Sequence, residues 1–83
     1  MIQQAKTDNP SIVPLNDVKV GRTVHIVRIE AGRELNNRLA AMGLLTDEPI
    51  EVIRNDRKGQ LIVAVKNCKV VLGRGMSHKI FVQ

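Results

Sequence analysis

The chain has 83 residues, with 13 Lys and Arg against 8 Asp and Glu for a net charge of +5, and Phe81 is its single aromatic residue. Apolar residues make up 43% of the sequence, which indicates one small globular domain rather than a disordered chain. A single aromatic side chain argues against stacking of single-stranded nucleic acid and against recognition of proline-rich peptides, because both need surfaces built from several aromatic residues.

The cysteine content and the N-terminus bear on the cellular compartment. Cys68 is the single cysteine, so no internal disulfide forms, and we expect this residue to be buried as a small hydrophobe. Residues 1–6 lack the apolar core of a signal peptide. No stretch approaches the roughly 18 apolar residues that span a bilayer. We therefore expect a cytoplasmic protein without membrane insertion.

The first part of the chain lacks a repeating pattern until a strand begins near Val24. Residues 1–13 are polar, and the Asn9-Pro10 and Val13-Pro14 pairs force extended or turn geometry. We predict a flexible tail over residues 1–13 and one domain over residues 14–83. Val24–Ile29 carries apolar residues on both faces, which predicts a strand with a bulge, a strong twist or cover on both sides.

One segment has helical periodicity. Leu35, Leu39 and Met42 recur at i, i+4 and i+7 and share one helical face. Gly43 follows at the position of a left-handed C-cap. The spacing predicts a helix over about residues 34–42, and so short a helix is unstable alone. We therefore expect it to pack onto a β structure, with Leu39 buried between the two.

Short strands fill the rest of the sequence. The predicted strands after the helix are Ile50–Arg54, Leu61–Lys66, Cys68–Leu72 and Lys79–Val82. Lys66-Asn67 fits a tight hairpin turn, and residues 73–78 form a connector that has room for one 3₁₀ turn. Together with Val24–Ile29 these segments predict a mainly β protein, either a small five-stranded barrel or a two-sheet sandwich, with one short inserted helix.

Strand alternation leaves four apolar residues where polar ones are expected, namely Ile53, Ile62, Val71 and Phe81. Two readings are open. A bulge or a terminal segment buries them, or they form an exposed apolar patch that serves docking or weak self-association.

Catalytic and metal-binding patterns are missing from the sequence. His25, His78 and Cys68 show none of the spacings of known metal motifs, and no set of titratable residues suggests a catalytic pocket. Gly73-Arg74-Gly75 is followed by a strand rather than by the helix that a phosphate-binding loop needs. We expect no metal site, no cofactor and no enzymatic activity. A basic module that binds nucleic-acid phosphates remains the alternative, although nucleic acid is not the expected partner.

The order of apolar residues and glycines along the chain resembles that of a known family. The matching positions are Leu15, Val20-Gly21, Val24, Ile26, Ile29 and Gly32, then Leu35, Arg38-Leu39 and Met42-Gly43-Leu44, then Ile50-Glu51-Val52 and the closing Val71–Val82 segment. This order is similar to that of FeoA proteins, small cytoplasmic components of bacterial ferrous iron uptake. The resemblance covers about residues 14–83, and Arg38 to Leu44 is its most specific part.

The resemblance implies an SH3-like barrel with an inserted helix. It further implies a non-enzymatic adaptor that docks on or regulates FeoB, the membrane transporter of ferrous iron, from the cytosolic side. Similar domains end the DtxR-type metal-dependent repressors, so a regulatory module related to those domains is the alternative. The chain departs from the family at Asp47-Glu48-Pro49, where many members have glycine, and at Gly73–Met76, which is often acidic.

We predict that the partner docks on Arg38 and on the segment that follows the helix, which comprises Leu44, Leu45, Thr46, Asp47, Glu48 and Pro49. Two adjacent leucines at a helix exit are more than one helix face buries. The alternative is that both leucines plug the barrel.

Overall fold

Six antiparallel strands and two helices make up the described part of this computed structural model, which covers residues 12–56 and 59–83. The elements are β1 (Val13–Pro14), a 3₁₀ turn (Leu15–Asp17), β2 (Thr23–Ile29), α1 (Arg33–Ala41), β3 (Pro49–Asn55), β4 (Leu61–Val65), β5 (Cys68–Leu72), α2 (Arg74–Ser77) and β6 (Ile80–Val82). The sheet order is β1-β6-β2-β3-β4-β5. The last strand of the sequence therefore returns to lie between the first two.

The core lies on one side of this sheet and is closed by α1. Alternate residues of β4 are buried, as a strand with one face toward a core requires. The buried apolar residues are Leu15, Val18, Val24, Ile26, Leu39, Leu44, Ile50, Val52, Leu61, Val63, Val65, Val70, Leu72, Ile80 and Val82. Leu39 has no exposed surface, which agrees with the predicted packing of the helix onto the sheet.

A bulge explains the apolar residues on both faces of β2. Ile26 pairs with Val82 and Arg28 with Phe81, so Val27 is an extra residue in the ladder. The extra residue shifts the alternation by one, and Ile29 comes opposite the buried Ile80. Of the three predicted causes, the bulge is the one that the pairing shows.

A second bulge turns the end of β3 toward the 3₁₀ turn. The register shifts between Val52 and Arg54, so Ile53 is the extra residue and Asn55 pairs with the buried Leu61. The Asn55 Nδ2 atom donates hydrogen bonds to the carbonyl oxygens of Asn16 at 3.0 Å and Val18 at 2.9 Å. This side chain ties β3 to the segment that precedes β2.

The predicted count of five strands is wrong because a two-residue strand, β1, lies at the boundary of the predicted tail. Val13 pairs with Val82 and Pro14 with Phe81. So short a strand shows no alternation in the sequence. Residues 1–11 of the predicted tail lie outside the described residues.

Two further local predictions need correction. Cys68 is exposed, not buried, because it is the first residue of the strand at the end of the sheet and directly follows the hairpin turn. The connector forms one α-helical turn, α2, rather than a 3₁₀ turn. The hairpin itself is as predicted, since Lys66 and Asn67 both have positive φ (50° and 67°), as a type I′ turn requires.

Candidate docking surface at the exit of helix α1

Helix α1 ends in a motif that separates two adjacent leucines. Gly43 has φ +93°, a conformation that glycine adopts without steric cost. The Gly43 N–H donates to the Ala40 carbonyl and the Leu44 N–H to the Leu39 carbonyl, each at 3.0 Å. This pattern is the Schellman motif, which satisfies the last helical carbonyls and reverses the chain.

The reversal buries one leucine and exposes the next. Leu44 is 1% exposed and belongs to the core, whereas Leu45 is 43% exposed. The prediction of Leu44 as a surface residue is therefore wrong, because the Schellman turn directs it under the helix. A docking surface at this exit has Leu45 as its apolar residue.

A tight turn holds Leu45 and the residues after it. The Glu48 N–H donates to the Leu45 carbonyl at 3.0 Å, which closes a four-residue turn whose third residue, Asp47, has φ +71°. Aspartate tolerates this left-handed conformation better than most residues.

The same turn is anchored to strand β2. The Asp47 N–H donates to the Ile26 carbonyl at 2.7 Å, and the Ile26 N–H donates to the Glu48 carbonyl at 3.1 Å. Glu48 also faces Lys66, with the Lys66 Nζ atom 3.7 Å from the carboxylate. The turn is thus fixed to the barrel on both sides and offers a preformed surface.

A groove of about 380 Å³ lies beside Leu45, between α1 and β2. Its lining residues are Arg28, Ile29, Asn36, Ala40, Leu44, Leu45 and Thr46. The Asn36 Nδ2 atom donates to the Ala31 carbonyl at 3.0 Å, which fixes this side chain at the start of the groove. The polar surface of this groove slightly exceeds its apolar surface, so the groove suits a partner residue that combines an apolar contact with hydrogen bonds.

The remaining predicted docking residues differ in their position relative to this groove. Leu45 and Thr46 line it. Asp47, Glu48 and Pro49 continue along the turn into β3, with Glu48 half-buried and the other two exposed. Arg38 is exposed in the last turn of α1 and does not line the groove. We call Leu45 to Pro49 together with Arg38 the helix-exit surface.

The groove residues on α1 and β2 are not among the residues predicted from the sequence. Asn36 and Ala40 are spaced i, i+4 and therefore lie on one side of the helix, a pattern that is readable in the sequence. Arg28 and Ile29 reach the groove only because the bulge at Val27 changes the alternation of β2.

The four apolar residues predicted as a patch do not all lie together. Ile62 and Val71 are directly paired on β4 and β5, and Ile53 is the bulge residue beside them on β3. Phe81 is on β6, which β2 and β3 separate from β4, and the Arg28 guanidinium lies 4.5 Å from the centre of its ring. The exposed members are Val71 and Ile53, whereas Ile62 and Phe81 are half-buried.

Residues 12–56 and 59–83 show neither a metal-binding cluster nor a membrane-spanning helix. No group of three or more His, Cys, Asp or Glu comes together there in a way that would hold a metal ion. None of the helices in the same ranges has the length and apolar character needed to span a membrane.

A small antiparallel β domain capped by one short helix is the architecture of SH3-like accessory domains, and comparison with known proteins defines the class further. The model of the FeoA domain matches residues 13–83. A protein of Methanocaldococcus jannaschii, provisionally named Fe(2+) transport protein A, is 36% identical over 70 residues, which are 84% of each chain. The chain therefore belongs to the FeoA family, whose members are non-enzymatic accessory proteins of iron transport.

Solved structures confirm the fold. The crystal structure of an iron uptake regulatory protein (FeoA) superposes with a TM-score of 0.79 at 25% identity, and covers 87% of this chain and 94% of its own. A manganese-dependent transcriptional repressor superposes with a TM-score of 0.81 at 24% identity, over 93% of this chain but 44% of the repressor. The predicted SH3-like fold with one short helix is confirmed, and the likeness to the repressor is one of fold alone.

Proposed function

We propose that this protein is a cytoplasmic adaptor that binds the cytosolic side of a FeoB-like ferrous iron transporter through the helix-exit surface. Membership of the FeoA family and the name of the M. jannaschii relative support a role in Fe(2+) transport. The single observation that carries the docking site is the exposure of Leu45, 43%, on a turn held by hydrogen bonds.

The energetics favour this surface for protein recognition. Burial of apolar area releases about 25 cal/mol per Å², and interfaces place a few apolar residues inside a polar rim. Leu45 has polar neighbours along the turn in Thr46 and Asp47, which are both exposed. Because the turn is already fixed to β2, little conformational entropy remains to be lost on binding.

An adaptor acts through a binding surface and needs no catalytic site. FeoA-family proteins contribute no catalytic chemistry, and the groove beside Leu45, with its mixed polar and apolar lining, has room for a side chain of a partner. The likeness to the manganese-dependent repressor covers less than half of that chain and does not lead us to propose a role in DNA binding or metal sensing.

Co-purification tests the proposal. The cytosolic domain of the transporter is immobilised and offered the wild type, Leu45→Asp and Val20→Asp. Val20 is also an exposed apolar residue, 58% exposed, but it precedes β2, and it therefore serves as the matched control for a new surface charge. We expect Leu45→Asp to lose retention and Val20→Asp to keep it. Equal retention of a folded Leu45→Asp would remove the helix-exit surface as the site.

A further inference from the structure

Strand β5 lies at one end of the sheet, and among the described residues no strand pairs with its outer edge. The two-residue turn at Lys66-Asn67 fixes the direction of its backbone groups. Val65 and Cys68 flank this turn and pair with each other, so in a two-residue hairpin they exchange both of their backbone hydrogen bonds. Alternation then points the N–H and C=O groups of Cys68, Val70 and Leu72 toward β4 and those of Lys69 and Val71 outward.

The side chains beside this edge form an apolar stripe. Val71 is 52% exposed and pairs with Ile62, and Ile53 at the β3 bulge is 36% exposed. These three residues, the edge stripe, cross three neighbouring strands and end at the free edge. An outward row of backbone groups next to an apolar stripe is the arrangement by which sheets take up an additional strand.

The charges around the edge stripe select the partner. Lys69 shares the outer face with Val71, two residues away along β5. Arg54 lies opposite Ile62 on the same face, whereas Lys66, on the hairpin turn, already faces Glu48. Glu51, opposite Ala64, lies on the same face two strands from Lys69. The geometry points to an extended acidic segment of a partner protein that pairs with β5 as an added strand.

The register of the edge predicts the pattern of that segment. In an antiparallel addition, the residue opposite Val71 and the residue opposite Lys69 are two positions apart and face the same side. The recognised pattern is therefore an apolar residue followed, two positions later, by Asp or Glu. Backbone hydrogen bonds with Lys69 and Val71 supply the pairing, and the side chains supply the selection.

A second copy of this chain is a poorer occupant of the same edge. Two β5 strands related by a two-fold axis would bring both Lys69 side chains onto one narrow outer face, and like charges in neighbouring cross-strand positions are destabilising. Lysine on an edge strand is a common protection against such pairing. The inference does not depend on the helix-exit surface, although Glu48 of that surface faces Lys66 at the hairpin turn beside β5.

The test uses the full chain labelled with ¹⁵N and a peptide of about eight residues, the usual length of a strand. Threonine occupies every second position, and Val and Glu alternate on the other face. A control peptide replaces each Glu by Lys. We expect the acidic peptide to shift the amide signals of Lys69 and Val71 and to slow their hydrogen exchange, and the Lys peptide to leave both unchanged.

Two protein variants separate backbone pairing from charge. Val71→Pro removes the outward N–H and breaks no bond to β4, since proline is accepted on edge strands, whereas Val71→Thr keeps the N–H and serves as its control. We expect Val71→Pro to abolish binding, Val71→Thr to retain it, and Lys69→Glu to weaken it about tenfold. If Val71→Pro does not fold, N-methylation of the peptide backbone makes the same test on the wild type.

Several results would overturn the inference. They are the absence of binding at millimolar peptide, shifts confined to Leu45 and Thr46, equal binding by the Lys peptide, and unchanged affinity after N-methylation of the peptide. Shifts of the β5 amides that depend on protein concentration without peptide would assign the edge to a second copy instead.

Discussion

Two regions at the end of helix α1 show how this small domain divides its residues between folding and recognition. The sealed region, with Leu39 and Leu44, packs against the sheet and is nearly without exposed surface. The turn that follows, Leu45 to Pro49, is mostly exposed although its backbone is hydrogen-bonded to β2. Leu44, which stabilises the fold, is directly followed in the sequence by Leu45, which is exposed for binding to a partner.

The difference arises from backbone geometry rather than from hydrophobicity. Leu44 and Leu45 have the same side chain, and the left-handed Gly43 decides which of them points inward. Because α1 ends in a Schellman turn, one apolar residue, Leu45, is exposed on a backbone that is held by hydrogen bonds. The comparison can be broken from the sealed side or from the exposed side.

The largest effect is expected on the sealed side, with Leu39→Ala. Leu39 is fully buried between α1 and the sheet, and truncation of such a leucine costs about 2–5 kcal/mol of unfolding free energy. For a domain of this size that is a large share of the total stability. Urea unfolding followed by circular dichroism measures the change. A variant as stable as the wild type would contradict the role of α1 as the closure of the core.

Asn55→Ala tests the tie between β3 and the 3₁₀ turn. The substitution removes two hydrogen bonds from Asn55 Nδ2, to the Asn16 and Val18 carbonyls, and we expect a loss of about 1–3 kcal/mol. Hydrogen exchange of the amides of residues 15–18 is the sharper readout, since it should accelerate there first. Unchanged exchange in that segment would show that the tie does not hold it.

The smallest of the three stability effects is expected for Gly43→Ala. An added Cβ would meet Val65 at 3.8 Å, an ordinary contact, so the cost comes from φ +93° alone and amounts to about 1–2 kcal/mol. Gly75→Ala is the control, because Gly75 has open space for a Cβ and no positive φ, and it should be neutral or slightly stabilising. Equal effects of the two substitutions would mean that the Schellman turn is not what separates the leucines.

Much of the fold is predictable from local patterns. Periodicity at Leu35, Leu39 and Met42 gave a helix over residues 34–42, and α1 is Arg33–Ala41. The turn signal at Lys66-Asn67 located the β4–β5 hairpin. β1 is not predictable in this way, because two residues show no periodicity. The exposure of Cys68 is not predictable either, since it depends on which strand ends the sheet, and that is a property of the whole topology.

The candidate site was predictable only in part. Two adjacent leucines after a helix indicate that one of them is in excess of what a helix face buries, and this much is in the sequence. Which one is exposed depends on the conformation of Gly43. The groove residues Arg28 and Ile29 depend on a bulge in β2, for which the sequence offered several explanations. The difference between the buried leucines, Leu39 and Leu44, and the exposed turn after them is therefore evident only from the three-dimensional structure.

The most direct test of the central claim compares Leu44→Ala with Leu45→Ala by calorimetric titration of the transporter's cytosolic domain, alongside urea unfolding of both variants. We predict that Leu44→Ala loses about 2–5 kcal/mol of stability, because Leu44 belongs to the core, and that its affinity, measured under conditions in which it is folded, falls less than that of Leu45→Ala. Leu45→Ala should stay within about 0.5 kcal/mol of the wild type and lose measurable affinity. Wild-type affinity of Leu45→Ala, or a large loss of stability from it, would contradict the account.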